Sequence, residues 1–398
     1  NPYQFDYSAY MKSLGIYDQV HSSQRTILNQ SKGNPTLRGQ ADKVRSYLIQ
    51  KLKKSPLTPN VIAIVQALIL GQKKDINKQL YNDYAAAGAI HILAVSGLHI
   101  GIIYFMLIAL LRPLKILFKS ELLISIVIVL CLWGFAFLTG LSPSVIRAVT
   151  MFSFFAFAKA INRETNAINT LFLSYFILLI INPLWLFYVG FQLSYLAVFF
   201  ILWLLPLFNK IYYPTNYFVK KIWGIFTVTL AAQLGIIPLS IYYFHQFPGL
   251  FFITNLIILP FLGILLGGGI ILIFLSLLNI LPEWFALSYN FLIKLMNSCI
   301  HVIANQKLFL FENITFSLYK VFASYLLIIS IILFWNYQNR KSTLFFVVGL
   351  SILFSVSIFD NYSNSKNELI VFHNNRQSIV ANKNGSILHL YKSDAILN

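Results

Sequence analysis

The sequence predicts an all-α polytopic membrane protein of about ten membrane helices, with a short extracytoplasmic N-terminal region and a small β-hairpin-containing C-terminal tail. Three observations predict it. Of 398 residues, 58% are hydrophobic and 11% charged, which is more apolar surface than a soluble fold of this size can bury. Apolar runs approaching the roughly 20 residues that a spanning helix needs recur from about residue 85 to 359. Polar sequence gathers at the two ends, so the chain divides into residues 1–60, a membrane-embedded region 61–359 and a tail 360–398.

The chain begins at Asn1, with neither an initiator methionine nor a charged-then-apolar signal, and reads as an excerpt of a longer protein. Cys131 and Cys299 lie within apolar runs and offer no disulfide framework or ligand cluster. The formal net charge is +18, and residues 1–78 hold twelve Lys/Arg against four Asp. Such a region attracts either a phosphate-rich polymer or anionic lipid.

Leu37, Ala41, Val44, Leu48 and Leu52 recur at helical spacing with Lys43, Arg45, Lys51, Lys53 and Lys54 around them. This is an amphipathic basic helix that lies on headgroups, touches nucleic acid or packs on the protein. The next apolar run, "VIAIVQALIL" at 61–70, is too short to span and suits an interfacial or buried helix.

Spans are expected at 87–111, 122–140, 144–160, 167–188, 190–208, 222–244, 250–281, 284–304, 319–337 and 342–359. The loops after the first, third, fifth and ninth carry Arg112, Lys115, Lys119, Lys159, Arg163, Lys210, Lys220, Lys221, Arg340 and Lys341, whereas 141–143, 182–189 and 245–249 carry no Lys or Arg. By the positive-inside rule the first group is cytoplasmic, which puts both ends of the chain outside. Residues 250–281 are long for one span and hold Pro260 and Gly267–Gly268–Gly269, so a tilted or broken helix is expected. In 284–304, Asn290, Lys294, Asn297 and His301, continuing to Asn305, share one face that either lines water or lies at the interface. In the tail, "SIVANKNGSILHLY" alternates around Asn384-Gly385, a hairpin signal.

The stretch "HILAVSGLHIG" (91–101) places two histidines, a serine and a Gly-x-x-x-Gly pair in apolar surroundings. Gly97 and Gly101, with Ser96 between small neighbours, suit close helix packing. On one continuous helix His91 and His99 lie about 80° apart and Ser96 about 140° from His91, so no single-helix relay is expected. No metal-ligand spacing and no phosphate-cradling Gly-rich loop occurs, so neither a metal, a cofactor nor an enzymatic activity is expected of the chain. "AVSG" at 94–97 faintly resembles the serine motif of intramembrane proteases, which requires a histidine from another span, His245 or His301. Arg147, Gln192, Gln233 and Asn255 are further intramembrane polar groups. A charge at mid-span costs on the order of 3 kcal/mol, so Arg147 should not face lipid.

"HILAVSGLHIG", "LSPSVIRA", "GFQLSYLA" and "AAQLGIIPLSIYYFHQFPGLFFITNLIILPFLG" occur in the order found in the ComEC competence-protein family, and "FDYSAYMKSLGI" and "ALILGQKKDINKQLYNDYAAAGAIH" resemble its lead-in. The resemblance spans nearly all of residues 1–360. It implies an inner-membrane channel that admits single-stranded DNA during natural transformation, with a cytoplasmic motor or strand-trapping protein and an extracytoplasmic DNA receptor as partners. Its motif positions are His91, Ser96, Gly97, His99, Ser144, Arg147, Gln192, Ser194, Gln233 and Asn255. The family's OB-like domain could only be represented by a remnant in residues 1–60, and its metal-binding nuclease signature is absent from the tail. The path is expected to involve Arg147, Lys294 and His99, then His91, Gln192, Gln233, Asn255, Asn290, Asn297 and His301, with the basic helix as an outer DNA contact. Two other classes remain: a transporter of another polar or lipid-linked substrate, and an intramembrane hydrolase using Ser96.

Overall fold

The computed structural model describes residues 7–13, 16–20, 36–113, 120–374, 377–385 and 387–392. Most of the expected OB-like remnant, and Lys115 and Lys119, lie outside the described residues. In chain order the helices are α1 (Tyr7–Ser13), α2 (Leu37–Lys53), α3 (Pro59–Leu70), α4 (Lys78–Ala86), α5 (Gly97–Leu111), α6 (Glu121–Leu138) and α7 (Pro143–Ala160). They continue with α8 (Ala167–Ile181), α9 (Val189–Ile211), α10 (Tyr217–Phe244), α11 (Phe251–Leu277), α12 (Glu283–Ala304), α13 (Leu318–Tyr337) and α14 (Arg340–Asn364). The strands are β1 (Phe247–Pro248), β2 (Leu310–Phe311), β3 (Glu368–Asn374), β4 (Gln377–Asn384) and β5 (Ile387–Lys392). The chain folds as two compact units, Ser22–Ile314 and Asn1–His21 with Thr315–Asn398.

Among the described residues six helices are long and apolar enough to cross a membrane: α6, α9, α10, α11, α13 and α14. The chain is a multi-pass membrane protein. The expected count of about ten is not reached by this measure, for physical reasons. Helices α5 and α8 have 15 residues each, about 22 Å of rise. Polar residues dilute α7 and α12.

In the larger unit, α3 opens with Pro59, whose missing N–H is one of the unpaired donors of a first turn, and every side chain from Val61 to Leu70 is buried. The short apolar run is therefore a core helix. Around it, Leu48 and Leu52 of α2, Tyr84 of α4, Leu262 and Leu266 of α11 and Ile293 of α12 form one cluster. A second cluster joins α5, α6 and α7 through Ile100, Leu132 and Val149. A third joins α7, α8 and α9 through Ile146, Leu171 and Phe191.

Two expectations need correction. The run 87–111 is not one helix, because residues 87–96 form turns and helical structure begins at Gly97. Gly88 takes φ +74, and a Cβ there would stand 2.8 Å from Phe251 Cβ. Of the tilted and broken alternatives for residues 250–281, the broken one falls, since α11 runs unbroken through Pro260 and the three glycines. Those glycines admit close neighbours: a Cβ on Gly268 would stand 3.2 Å from the Tyr289 ring, and one on Gly267 would stand 3.2 Å from Met106. The two-residue strands β1 and β2 pair antiparallel. His245 and Ile314 reinforce them, the Ile314 N–H donating to His245 O at 2.9 Å.

In the smaller unit, α13 and α14 pack so closely that a Cβ on Gly349 would stand 2.8 Å from Ser330 Oγ. Lys320 and Asp360 form a 2.6 Å ion pair with both side chains largely buried. The tail forms an antiparallel sheet in which Ile370, Ala381 and Leu390 are aligned across β3, β4 and β5. The β4–β5 connection turns at Gly385, with φ +61, where the sequence signals a hairpin; β3 has no such signal.

Candidate functional site

Arg147 stands in the second turn of α7, a helix that begins with Pro143 at its first position. Its side chain is 96% buried. The Nε–H donates to Ser194 Oγ of α9 at 2.7 Å, and Nη1 reaches Met151 Sδ at 3.3 Å. The guanidinium carbon lies 5.7 Å from the centre of the Tyr195 ring. Tyr195 is held in turn by its hydroxyl, 3.0 Å from Ser174 Oγ of α8, and by the Tyr175 ring at 5.0 Å.

The first turn of α5 covers the other side of the guanidinium. A Cβ on Gly97 would stand 2.6 Å from Nη2 of Arg147, so only glycine leaves room for the arginine as it is placed. Four residues on, Gly101 faces Phe152 of α7 at 3.2 Å by the same measure. The segment before α5 is fastened to α7 by Ser144 Oγ, which donates to Val95 O at 3.1 Å.

The ends that meet here are alike. Arg147 is the fifth residue of α7, Gly97 the first of α5 and Ser194 the sixth of α9. The first turn of α5 and the second turns of α7 and α9 thus meet at a buried cation. Among the described residues no carboxylate forms an ion pair with Arg147. Burying a charge costs several kcal/mol unless an opposite charge or good hydrogen bonds offset it. Here the arrangement supplies a neutral hydroxyl, a thioether and an aromatic face, and leaves the site strongly positive.

Gln192 lies one half-turn before Ser194 and is satisfied on both sides. Its amide donates to Leu186 O at 2.8 Å, and its carbonyl accepts from Tyr243 of α10 at 3.0 Å. One turn beyond Arg147, Thr150 Oγ1 is buried without a hydrogen-bond partner among the described residues, and so is Thr229 Oγ1 on α10. Gln233, half-buried, follows Thr229 by one turn.

The break before α5 changes the geometry of the histidine motif. Ser96 is the N-cap of α5 and His99 its third residue, where they form a capping box with histidine in the usual Glu/Gln position. The Ser96 N–H donates to His99 Nδ1 at 3.3 Å, and Ser96 Oγ lies 2.9 Å from the same atom. Since Nδ1 accepts, the neutral ring carries its proton on Nε2, which is buried and without a partner among the described residues. The expectation of no relay among His91, Ser96 and His99 assumed a continuous helix; with the break, Ser96 meets His99 while His91 bonds elsewhere. Ser96 meets neither His245, whose Nδ1 is 3.1 Å from Ile314 O, nor His301. His91 is exposed in the turn, with Nδ1 donating to Gly88 O at 3.0 Å. Asn255 is buried, its Oδ1 unpartnered among the described residues, beside Thr254, whose hydroxyl donates to Ala87 O at 2.7 Å.

The polar stripe of α12 is engaged by protein. Asn290 Oδ1 accepts from the N–H and hydroxyl of Thr58 at 3.3 and 3.2 Å. Asn297 Oδ1 accepts from Tyr84 at 2.8 Å. His301 Nδ1 lies 2.9 Å from Asp83, and Asn305 lies 3.1 Å from His301 Nε2. Lys294 is exposed.

Of the five basic residues expected as the outer contact, on α2 and at its C-cap, three meet protein atoms. Arg45 donates to Leu138 O at 2.8 Å, at the C-terminus of α6. Lys51 donates to Asn279 Oδ1 at 2.9 Å, just past α11. Lys53 pairs with Asp75 at 3.0 Å. Cations at helix C-termini offset the negative end of the dipole, so Arg45 and Lys51 have a packing role irrespective of any ligand. Lys43 and Lys54 are exposed. Among the described residues no group of three or more His, Cys, Asp or Glu could hold a metal ion.

The convergence of Arg147, Ser194 and the start of α5 joins three of the four motifs singled out in the sequence. A family model described as Competence protein matches residues 68–338, which include all of them. The chain belongs to the competence protein family. Among family relatives, ComE operon protein 3 of Bacillus subtilis is 30% identical over 311 residues, 77% of this chain and 38% of that protein. Recombination protein 2 of Haemophilus influenzae is 26% identical over 235 residues, 56% of this chain and 29% of that protein. An uncharacterized protein of Aquifex aeolicus is 30% identical over 167 residues, 42% of this chain and 39% of its own length. The chain therefore spans well under half the length of these competence-family relatives. No solved structure matches it.

Sequence reasoning missed Met151, Tyr195, Thr150 and Thr229, and it missed the Lys320–Asp360 pair. Tyr195 adjoins Ser194 in "FQLSY", but among 64 aromatic side chains (36 Phe, 22 Tyr, 6 Trp) nothing in spacing marks it.

Proposed function

We propose that this chain is the membrane-embedded part of a channel that imports single-stranded DNA, and that Arg147 is a station for its phosphates. The observation that carries this reading is the buried guanidinium with no carboxylate partner among the described residues, where α5, α7 and α9 meet. A DNA strand carries one negative charge per nucleotide and crosses hydrocarbon only along a wet path that favours anions. Membership of the competence family, and a relative named Recombination protein 2, support DNA as the cargo.

In this reading the strand meets Arg147 and Gln192 near the outer mouth, then Thr150, Gln233 and Thr229 deeper in. His99, His91 and Asn255 contribute neutral donors and acceptors beside the same break. Lys294 and the exposed Lys43 and Lys54 supply cations outside the bundle. The chain works in the cytoplasmic membrane with both ends outside and carries out no chemistry itself. A cytoplasmic motor or strand-trapping protein supplies the work, and an extracytoplasmic receptor delivers the DNA.

The test is uptake of labelled DNA by cells whose own copy is replaced with Arg147→Ala. Uptake falls while the amount of protein in the membrane stays constant. Undiminished uptake removes Arg147 from the path.

A further inference from the structure

The turn between α7 and α8 holds a cavity of about 530 Å³ lined by Phe155, Lys159, Asn162, Arg163, Glu164 and Thr165. That size lies within the range of about 300–1,000 Å³ typical of small-molecule sites. The local backbone explains how the charges come together. Asn162 takes φ +51, the Arg163 N–H donates to Ala158 O at 2.9 Å, and the Asn162 N–H donates to Lys159 O at 3.2 Å. This closure of α7 turns the chain back on itself, so that Lys159 from the last turn and Arg163 from beyond it line one space.

Two cations and one carboxylate therefore share the cavity. None of the three forms an ion pair with another described residue. The flanks are apolar and open: Phe157, Ile161 and Ile168 are exposed large hydrophobic side chains on either side of the turn. A charged cavity at the end of a membrane helix, bordered by exposed apolar side chains, sits where headgroups meet hydrocarbon.

We propose that this cavity binds a phospholipid whose headgroup carries a phosphodiester and a primary amine. The Arg163 guanidinium and the Lys159 ammonium hold the phosphate, the guanidinium with its planar fork of donors. The Glu164 carboxylate and the Thr165 hydroxyl accept hydrogen bonds from the headgroup ammonium. The acyl chains run along Phe157, Ile161 and Ile168. A choline headgroup has no N–H to give Glu164, and a glycerol headgroup offers it hydroxyl donors but no positive charge. Glu164 and the lipid-facing border also disfavour the transported strand as occupant.

The full chain in detergent is mixed separately with phosphatidylethanolamine, phosphatidylglycerol, phosphatidylcholine, free glycerophosphoethanolamine and an oligothymidylate, and binding is followed by native mass spectrometry and thermal melting. Phosphatidylethanolamine binds best and raises the melting temperature most. Lys159→Gln with Arg163→Gln weakens it about a hundredfold, the loss of two charged hydrogen bonds at about tenfold each, while the lipid-free protein melts as the wild type does. Glu164→Gln makes phosphatidylethanolamine and phosphatidylglycerol equivalent. Equal binding of all three lipids, or binding unchanged in the double variant, overturns the proposal. A full response to soluble glycerophosphoethanolamine overturns the lipid as source. Loss of oligothymidylate binding in the double variant, with lipid binding intact, overturns it in favour of a polynucleotide contact.

Discussion

Arg147→Met separates an arginine kept for function from one kept for stability. Methionine preserves length and apolar bulk but removes the charge. The structure sets the balance. Lost on substitution are a charged hydrogen bond to Ser194, worth about 1.5–3 kcal/mol, and a buried cation–π contact with Tyr195, worth about 2 kcal/mol. Regained is the desolvation penalty of an unpaired buried charge, several kcal/mol. The two sides nearly cancel, so Arg147→Met should melt within a few degrees of the wild type, or above it. Uptake depends instead on the charge that Arg147 offers to each phosphate. One charged contact of about 1.5–3 kcal/mol corresponds to a roughly ten- to hundred-fold loss in occupancy of that station. The assay pairs a melting curve in detergent with uptake of labelled DNA by cells carrying the variant. A variant that melts far below the wild type, or one that imports DNA at the full rate, refutes the reasoning.

Gly97→Ala forces a methyl to within 2.6 Å of Nη2 of Arg147 and should destabilise by about 1–3 kcal/mol; adding Arg147→Ala removes the clash, so the double variant melts higher than Gly97→Ala alone. Tyr84→Phe takes the hydroxyl from Asn297 Oδ1 and should cost about 1–3 kcal/mol in chemical or thermal denaturation. The hydrogen bond from Lys53 pulls the Asp75 carboxyl below its ordinary pKa. A depressed carboxylate pKa contributes stability that is present above the unfolded value near about 4 and fades as pH falls through the folded one. The pair is exposed, so the effect is about 1 kcal/mol or less, and Asp75→Asn should flatten the acid side of a stability–pH profile by that amount.

Composition reveals helices far better than it reveals their breaks. The run from 87 to 111 is apolar throughout, and in a membrane protein a buried turn has the same composition as a helix. Residues 87–96 escape the helix because the surrounding protein meets their polar atoms, as when Thr254 donates to Ala87 O. Gly88 and Ser96 were the local signs, and Ser96 also fits a helix-packing motif. Arg147 was legible because a charge within an apolar run is costly wherever it points. Its partners were not, since Ser194 lies 47 residues away and periodicity says nothing of which helices touch. The face formed by Asn290, Asn297 and His301 was legible from spacing alone. That Thr58, Tyr84 and Asp83 would occupy it was not, because those contacts join segments more than 200 residues apart.

Photo-crosslinking during import tests most directly whether DNA passes the site. Photoreactive side chains replace Gln192 and Ser144 at the convergence of α5, α7 and α9, and replace exposed Phe172 on α8 as a control. Labelled DNA caught in mid-uptake should form adducts at 192 and 144 and none at 172. Cells that import DNA at the normal rate while 192 and 144 capture none of it would contradict the account.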